Sequence, residues 1–553
     1  MAILLLILGI VLFLAAYTTY GSWLAKKWGI DPGRPTPAHT MRDGVDYDPT
    51  HPRVLLGHHF SSIAGAGPIT GPILASVFGW LPVYLWIVLG SIFVGGVHDF
   101  SAIFASVRHK AKSIGEVISE NIGKRARILF NLFAWLTLIL VVAAFADICA
   151  STFKYDPATP DNLDGARSGT ISMLFIVLAI LFGVITRKFS LPGKASVSLG
   201  IIGIVLFIAI GYIFPVMKFS QTVWTYILLV YIFIASVLPV WFLLQPRDYL
   251  SSFLLYAMLI GGIIGLFATN PDVTMPAFTS FIPSDGNYLF PILFVTVACG
   301  AISGFHSLVS SGTTSKQIDN EKDMKLIGYG AMLIEGMVAV LALLSVACYG
   351  KPFEGATPVQ VFANGISTMM ASFGLPKNIG MVFVVLAFAS FALTSLDTAT
   401  RIARYMLQEL SDSAKGILKK LLGNKYSATI ISILAAWGLL QYGYTKIWPI
   451  FGSVNQLLGA LALTAVSVWL LRRKRNTVYT AVPAVFMICV ALSALIILML
   501  QNFSTGNMVI GILSLLTFLL AVGLIIEAIL AVSREKRSAT ASSEDHSAQQ
   551  TAG

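Results

Sequence analysis

The chain has 553 residues, 56% of them hydrophobic and only 11% charged, with a mean hydropathy of +0.81 and a formal net charge of +11. This balance excludes an ordinary water-soluble globular domain and makes a polytopic membrane protein the expected class. The positive charge does not point to nucleic acid, because Lys and Arg cluster in short loops between apolar runs, as they do in cytoplasmic loops. Cys149, Cys299, Cys348 and Cys489 lie in or beside apolar segments without metal-ligand spacing, so they read as packing residues and no metal or cofactor is expected.

A helix needs about twenty apolar residues to cross a bilayer, and about fifteen runs qualify. In chain order they fall near 2–22, 58–78, 83–107, 127–150, 169–187, 195–215, 222–243, 248–269, 288–312, 326–349, 377–400, 427–443, 448–471, 477–500 and 507–531. The first lacks a basic leader and is followed by Lys26 and Lys27, which predicts an uncleaved helix with its N-terminus outside. Alternation from there puts the basic loops inside, including Arg108 to Lys112, Lys316 to Lys325, Lys419 to Lys425 and Arg472 to Arg475, and the C-terminus in the cytoplasm. The loops 151–168, 270–287 and 350–376 fall outside and are poor in Lys and Arg. A cytoplasmic loop over 23–57 and a disordered polar tail over 533–553 complete the expectation.

Two apolar segments are interrupted in a related way. Phe60-Ser61-Ser62-Ile63-Ala64-Gly65-Ala66-Gly67 aligns with Phe305-His306-Ser307-Leu308-Val309-Ser310-Ser311-Gly312, and the topology makes the two segments antiparallel, as an inverted repeat requires. Small flexible residues at this density either allow close helix packing or mark breaks that line a cavity. On the second reading Pro68 opens a new half-helix whose bare N–H groups attract a carboxylate. Ser62, Gly65, Ala66, Gly67, Pro68, Ser307, Ser310, Ser311 and Gly312 are then the candidate solute-binding residues.

Gly57-His58-His59-Phe60, Ala64 to Pro68, Gly95-Gly96-Val97-His98-Asp99-Phe100 and Gln245-Pro246-Arg247-Asp248-Tyr249 resemble the carbon starvation protein A family. So do Gly328 to Leu333 with Glu335, Leu396-Asp397-Thr398-Ala399-Thr400-Arg401, and Phe451-Gly452 with Asn455 to Leu458. The resemblance implies a bacterial or archaeal inner-membrane transporter, linked to peptide uptake and in some members to proton-coupled pyruvate import under carbon starvation. It also implies an all-α, LeuT-like fold of the APC superfamily, with five-helix inverted repeats around two broken helices. These are placed at 58–215 and 288–471, with 1–22, the connecting pair 216–287 and the C-terminal pair 472–532 peripheral. A channel and a membrane nutrient sensor are the competing classes, and no enzyme motif is found.

Ionisable residues inside spans are costly and point to function. Glu335 is the most deeply placed, with no basic residue near it in sequence. Burial without a countercharge favours a neutral carboxyl, so Glu335 is a candidate proton carrier or partner for a substrate ammonium, or else a neutral, hydrogen-bonded structural residue. Asp99 is a second coupling candidate or else a helix–helix hydrogen-bonding residue; its neighbour His98 is expected on another side of the helix. Thr394 and Ser395 match the hydroxyls that complete a sodium site in sodium-coupled members of the wider superfamily, or else bond their own helix. Asp397 joins the coupling set or pairs with Arg401 at i, i+4. His58 and His59 are candidate gates, caps or pH sensors. No Lys or Arg is expected in the membrane core. The partners are a small carboxylate-bearing solute and lipid, with protons or sodium as coupling ion and oligomeric state left open.

Overall fold

The computed structural model describes the backbone of residues 1–43, 46–189, 193–239, 242–283, 288–350 and 357–551, with side chains as far as Arg534. Among these residues all regular structure is helical apart from two isolated bridges, Pro35 to Asn320 and Thr50 to Ile318. Twelve helices are long and apolar enough to cross a membrane, and thirteen spans result if the bent pair Pro52–Ile63 and Gly67–Phe78 is one of them. Two shorter apolar helices, Gln221–Val237 and Lys425–Leu440, coincide with two further expected segments. The chain is a multi-pass membrane protein.

Burial sorts the spans. Leu289–Lys316 and Lys325–Tyr349 are the most enclosed of the described spans, and Lys124–Phe153, Lys377–Ser411 and Tyr444–Arg472 are also buried along most of their lengths. Gly193–Ile213 instead exposes Ile201, Ile202, Val205 and Leu206, an apolar surface that only lipid would cover favourably.

The connecting segments gather on two faces, and among the described residues the polar contacts between them stay within one face or the other. On one face Arg108 meets Glu321 at 2.7 Å, Arg127 meets Asp412 at 2.9 Å, Lys325 meets Ser22 at 3.0 Å and Arg472 meets the Glu120 carbonyl at 3.3 Å. On the other, the Tyr155 N–H bonds the Phe219 carbonyl, the Thr274 N–H the Ala347 carbonyl, and Asp147 accepts from Gln221 and from the Tyr444 N–H. These are the two groups of loops that the charge pattern separates. Among the described residues the second face carries only Lys154, Arg167, Lys218, Lys377 and Lys446 as cations.

The structure corrects several boundaries. The first helix continues to Trp28, so the connecting segment begins at Gly29, carries one short helix, Pro37–Thr40, and leads to the next membrane helix at Pro52. That loop lies on the segment after the second broken helix: Thr36 Oγ1 donates to the Ile318 carbonyl at 2.6 Å and Asn320 Nδ2 to the Pro32 carbonyl at 2.9 Å. A helix, Pro358–Ala371, occupies most of the expected outer loop 350–376 and is opened by a reciprocal capping pair, Thr357 and Gln360. The last helix runs from Met508 to Thr551, so helical backbone continues past the last span into the polar tail. From Ser533 to Thr551 the sequence holds no Pro or Gly that would stop a helix. The tail's side chains beyond Arg534 lie outside the described residues.

Candidate functional site between two broken helices

Two helices are interrupted mid-span. The first bends by 45° between Pro52–Ile63 and Gly67–Phe78, with Ala64 leaving helical geometry and Pro68 in the first turn of the new half-helix, as expected. Gly65 and Gly67 are required by close approach. A Cβ on Gly65 would lie 2.6 Å from Ser395 Oγ, and one on Gly67 would lie 2.5 Å from Cys299 Sγ.

The second break is not where the octet alignment put it. It spans Ala298 to Ser303, where Ala298 takes a left-handed φ of 41°, and Phe305 to Gly312 is an ordinary half-helix, Gly304–Gly312. Ser-rich sequence resembles the first break in composition, but hydroxyls bonded back to their own helix do not interrupt it. Ser307 donates to the Gly304 carbonyl and Ser311 to that of Ser307, both at 2.7 Å. Ser311 and Gly312 line an open cavity on the basic face with Asp46 and Lys316, away from the break.

The freed backbone of the second break is met by neighbouring helices. Asn455 Oδ1 accepts the Phe305 N–H at 2.9 Å and its Nδ2 donates to Ser303 Oγ at 3.0 Å, while Ser91 donates to the Gly300 carbonyl at 3.1 Å. Gln456 Nε2 donates to the Phe294 carbonyl at 2.5 Å, before the break. Asn455 and Gln456 thus fasten broken-helix backbone.

Four buried ionisable side chains meet beside the breaks. Asp99 accepts from His98 at 2.7 Å through one oxygen and from His306 at 2.8 Å through the other. His306 Nε2 lies 3.3 Å from Glu335 Oε2, within ion-pair range but without hydrogen-bond alignment, and also faces the Ile63 carbonyl that ends the first half-helix. All four side chains are fully buried. Two expectations change here. Glu335 has a basic partner, and His98 does pair with Asp99, because neighbouring side chains on one helix can lean across the 100° between them.

Both acids follow a π-helical turn, Ser91–Gly95 before Asp99 and Lys325–Gly330 before Glu335. Such turns are frequent at functional sites. The two turns also touch: Tyr329 Oη donates to the Ile92 carbonyl at 3.0 Å, and a Cβ on Gly96 would strike the Tyr329 ring at 2.7 Å.

The other candidates divide. Ser395 Oγ donates to the Ser62 carbonyl at 3.2 Å, joining its helix to the first break, while Thr394 bonds its own helix at Ser390. Ser62 Oγ and Ser310 Oγ are buried without a hydrogen-bond partner among the described residues. His59 pairs with Thr314 at 2.8 Å and lies within electrostatic reach of Asp99 and His306. His58 pairs with Asp248 at 3.0 Å, and His51, not either of these histidines, caps their half-helix.

Asp397 does not pair with Arg401. It binds Arg247 and Tyr231, and Arg247 also reaches Asp248 at 3.2 Å. Arg401 instead holds the Ala235 and Leu238 carbonyls at 2.6 Å each. Arg247 is 1% exposed inside the span Leu244–Thr269, so a cation does lie in the bundle, stabilised by two carboxylates contributed by different helices.

Comparison with known proteins identifies the family of the chain. The family model for carbon starvation protein CstA matches residues 1–354 and 352–494. The chain is 34% identical over 575 residues to the peptide transporter CstA of Escherichia coli K12, covering 89% of this chain and 80% of that one. It is 33% identical over 579 residues to the pyruvate/proton symporter BtsT of the same organism, covering 86% and 78%. A solved manganese transporter of Eremococcus coleocola is similar at a TM-score of 0.47 and 14% identity, over 89% of this chain and 99% of that one. Matched along most of its length by sequence relatives and by the family model, the chain belongs to the carbon starvation protein CstA family.

Proposed function

We propose that the protein is a secondary transporter of a bacterial inner membrane that imports a small carboxylate-bearing solute, pyruvate or a short peptide, together with protons by alternating access. The observation that carries this reading is the buried Asp99–His306–Glu335 chain, whose His306 lies on the half-helix of one broken helix and faces the end of the other. A histidine between two carboxylates can accept a proton from either side, so occupancy of the pair responds to the side to which the site is open. The names of two relatives, a peptide transporter and a pyruvate/proton symporter, support the solute class and the proton.

Protons are favoured over sodium by the name of one relative, a pyruvate/proton symporter. Ser395 donates to the Ser62 carbonyl and Thr394 to that of Ser390, bonds that leave the hydroxyl lone pairs free and so do not decide between the two ions. The solute carboxylate would meet the N-terminal end of Gly67–Ala75, with Ser62 and Ser310 hydroxyls as further donors. A peptide would bring its ammonium toward Glu335.

The reading includes a LeuT-like pair of five-helix repeats and fifteen crossings, counting the bent pair as one span and including the two shorter helices. The order of element types supports different repeat limits from those expected. Each half has a broken helix, a helix with a π-helical turn and an acid, a long helix, a short helix and a closing helix. The first set is Pro52–Phe78, Trp80–Arg108, Lys124–Phe153, Gln221–Val237 and Leu244–Thr269, with the pair Asp164–Phe189 and Gly193–Ile213 inserted; the second runs from Leu289 to Arg472. The N-terminus lies outside and the basic face is cytoplasmic. Saturable counterflow of labelled pyruvate or dipeptide in proteoliposomes tests the carrier reading, and non-saturable flux without counterflow would replace it with a channel.

A further inference from the structure

On the basic face a cavity of about 440 Å³ opens between the end of Trp80–Arg108, the short helix Ile114–Asn121 and the end of Tyr444–Arg472. Its wall carries Arg108, Lys110, Lys112, Arg472 and Arg473 against a single carboxylate, that of Glu120. Glu120 is engaged by Lys112 at 2.7 Å, and Arg108 is neutralised by Glu321 at 2.7 Å. Lys110 and Arg473 have no carboxylate partner among the described residues, and Arg108 Nε is buried without a hydrogen-bond partner there.

Helix ends account for part of this charge, since carbonyl ends attract cations, but not for its convergence on one concavity. The Arg473 guanidinium lies 5.2 Å from the centre of the Trp469 ring, which positions it at the wall. Lys110 and Ala111 both adopt left-handed backbone, at φ 60° and 53°, in a turn tied by the Ala111 N–H to the Ser106 carbonyl and by Ser106 Oγ to the Lys112 carbonyl. Non-glycine backbone of this kind persists where its surroundings enforce it. Burial draws His109 below the ordinary imidazole range, so its ring adds hydrogen-bonding capacity to the wall more than charge.

We infer that this cavity binds a phosphate-bearing anion, supplied either by an anionic lipid headgroup of the adjoining leaflet or by a soluble phosphate compound. Guanidinium and ammonium groups converging on one space match phosphate oxygens in charge and in donor count. The position at the ends of two spans puts the site at headgroup depth, where basic pockets between helices take up lipid phosphates. The site is separate from the broken-helix site and requires neither transport nor a particular solute.

The test uses full-length protein in two arms. In detergent, inorganic pyrophosphate is titrated and thermal unfolding followed. In phosphatidylcholine nanodiscs with added phosphatidylglycerol, native mass spectrometry counts the phosphatidylglycerol retained. Lys110→Gln with Arg473→Gln removes two charges from the cavity, and Lys26→Gln with Lys27→Gln removes two from the same face outside it. In at least one arm, binding is expected to weaken at least tenfold in the cavity variant and to hold in the other, and the responding arm identifies the source. If the double variant does not fold, Lys110→Gln alone is read and should weaken binding severalfold. Equal weakening in both variants, or no weakening in either arm, overturns the inference.

Discussion

Glu335→Gln separates coupling from folding. At 3.3 Å, and with an effective dielectric of about 20, an ionised Glu335–His306 pair attracts by about 5 kcal/mol before desolvation is counted. Little of this is lost as stability, because His306 keeps its bond to Asp99 at 2.8 Å and glutamine preserves the shape at position 335. A change within about 2 kcal/mol is expected. The functional effect is categorical. One proton carried per solute lets a pH step of about one unit support roughly tenfold accumulation, since that ratio corresponds to about 1.4 kcal/mol. The assay is uptake of labelled pyruvate and of a dipeptide into proteoliposomes with an acid exterior and clamped potential, beside counterflow without a gradient. Glu335→Gln should lose gradient-driven accumulation while retaining counterflow and a native melting profile. Tenfold accumulation in the variant would refute the role of Glu335.

Asp99→Asn is expected to be far more damaging, by about 3–5 kcal/mol in unfolding experiments, because two buried histidines lose their shared carboxylate. Arg247→Met leaves Asp397 and Asp248 without their common cation and should cost a similar ~3–5 kcal/mol; adding Asp397→Asn should recover part of the loss, measured as melting temperature in detergent. Gly71→Ala places a Cβ 2.5 Å from the Val297 carbonyl, so the two broken helices must part at a cost of about 1–3 kcal/mol, with a matching drop in thermal stability. Ser395→Ala removes one bond to the Ser62 carbonyl, about 0.5–1.5 kcal/mol, and should leave uptake equally insensitive to replacing sodium by choline.

The spans were legible because an apolar run of membrane length has few other uses, and even Gln221–Val237 and Lys425–Leu440 announced themselves by hydropathy. Pro358–Ala371 was missed for the opposite reason: it is short and carries polar residues, although Thr357 followed by Gln360 was a readable capping signal. At the site, Glu335 and Asp99 followed from the rarity of acids inside spans, and the same rule applied to His306 would have found their link. The first break was written in Gly65, Gly67 and Pro68. The second, Ala298 to Ser303, holds small residues too, Gly300 among them, but its strained residue is an alanine, no Pro marks a new half-helix, and the Ser-rich octet after it drew the alignment. Arg247 with Asp397, 150 residues apart, could not be paired by local spacing, which favoured Arg401 instead.

The central claim is proton-driven movement of a carboxylate-bearing solute, and wild-type protein in sealed liposomes tests it most directly. With an acid exterior, labelled pyruvate or dipeptide should accumulate above its external concentration, saturate with dose and fall back when a protonophore is added. Equilibration to the external concentration alone, whatever the proton gradient, would contradict the account.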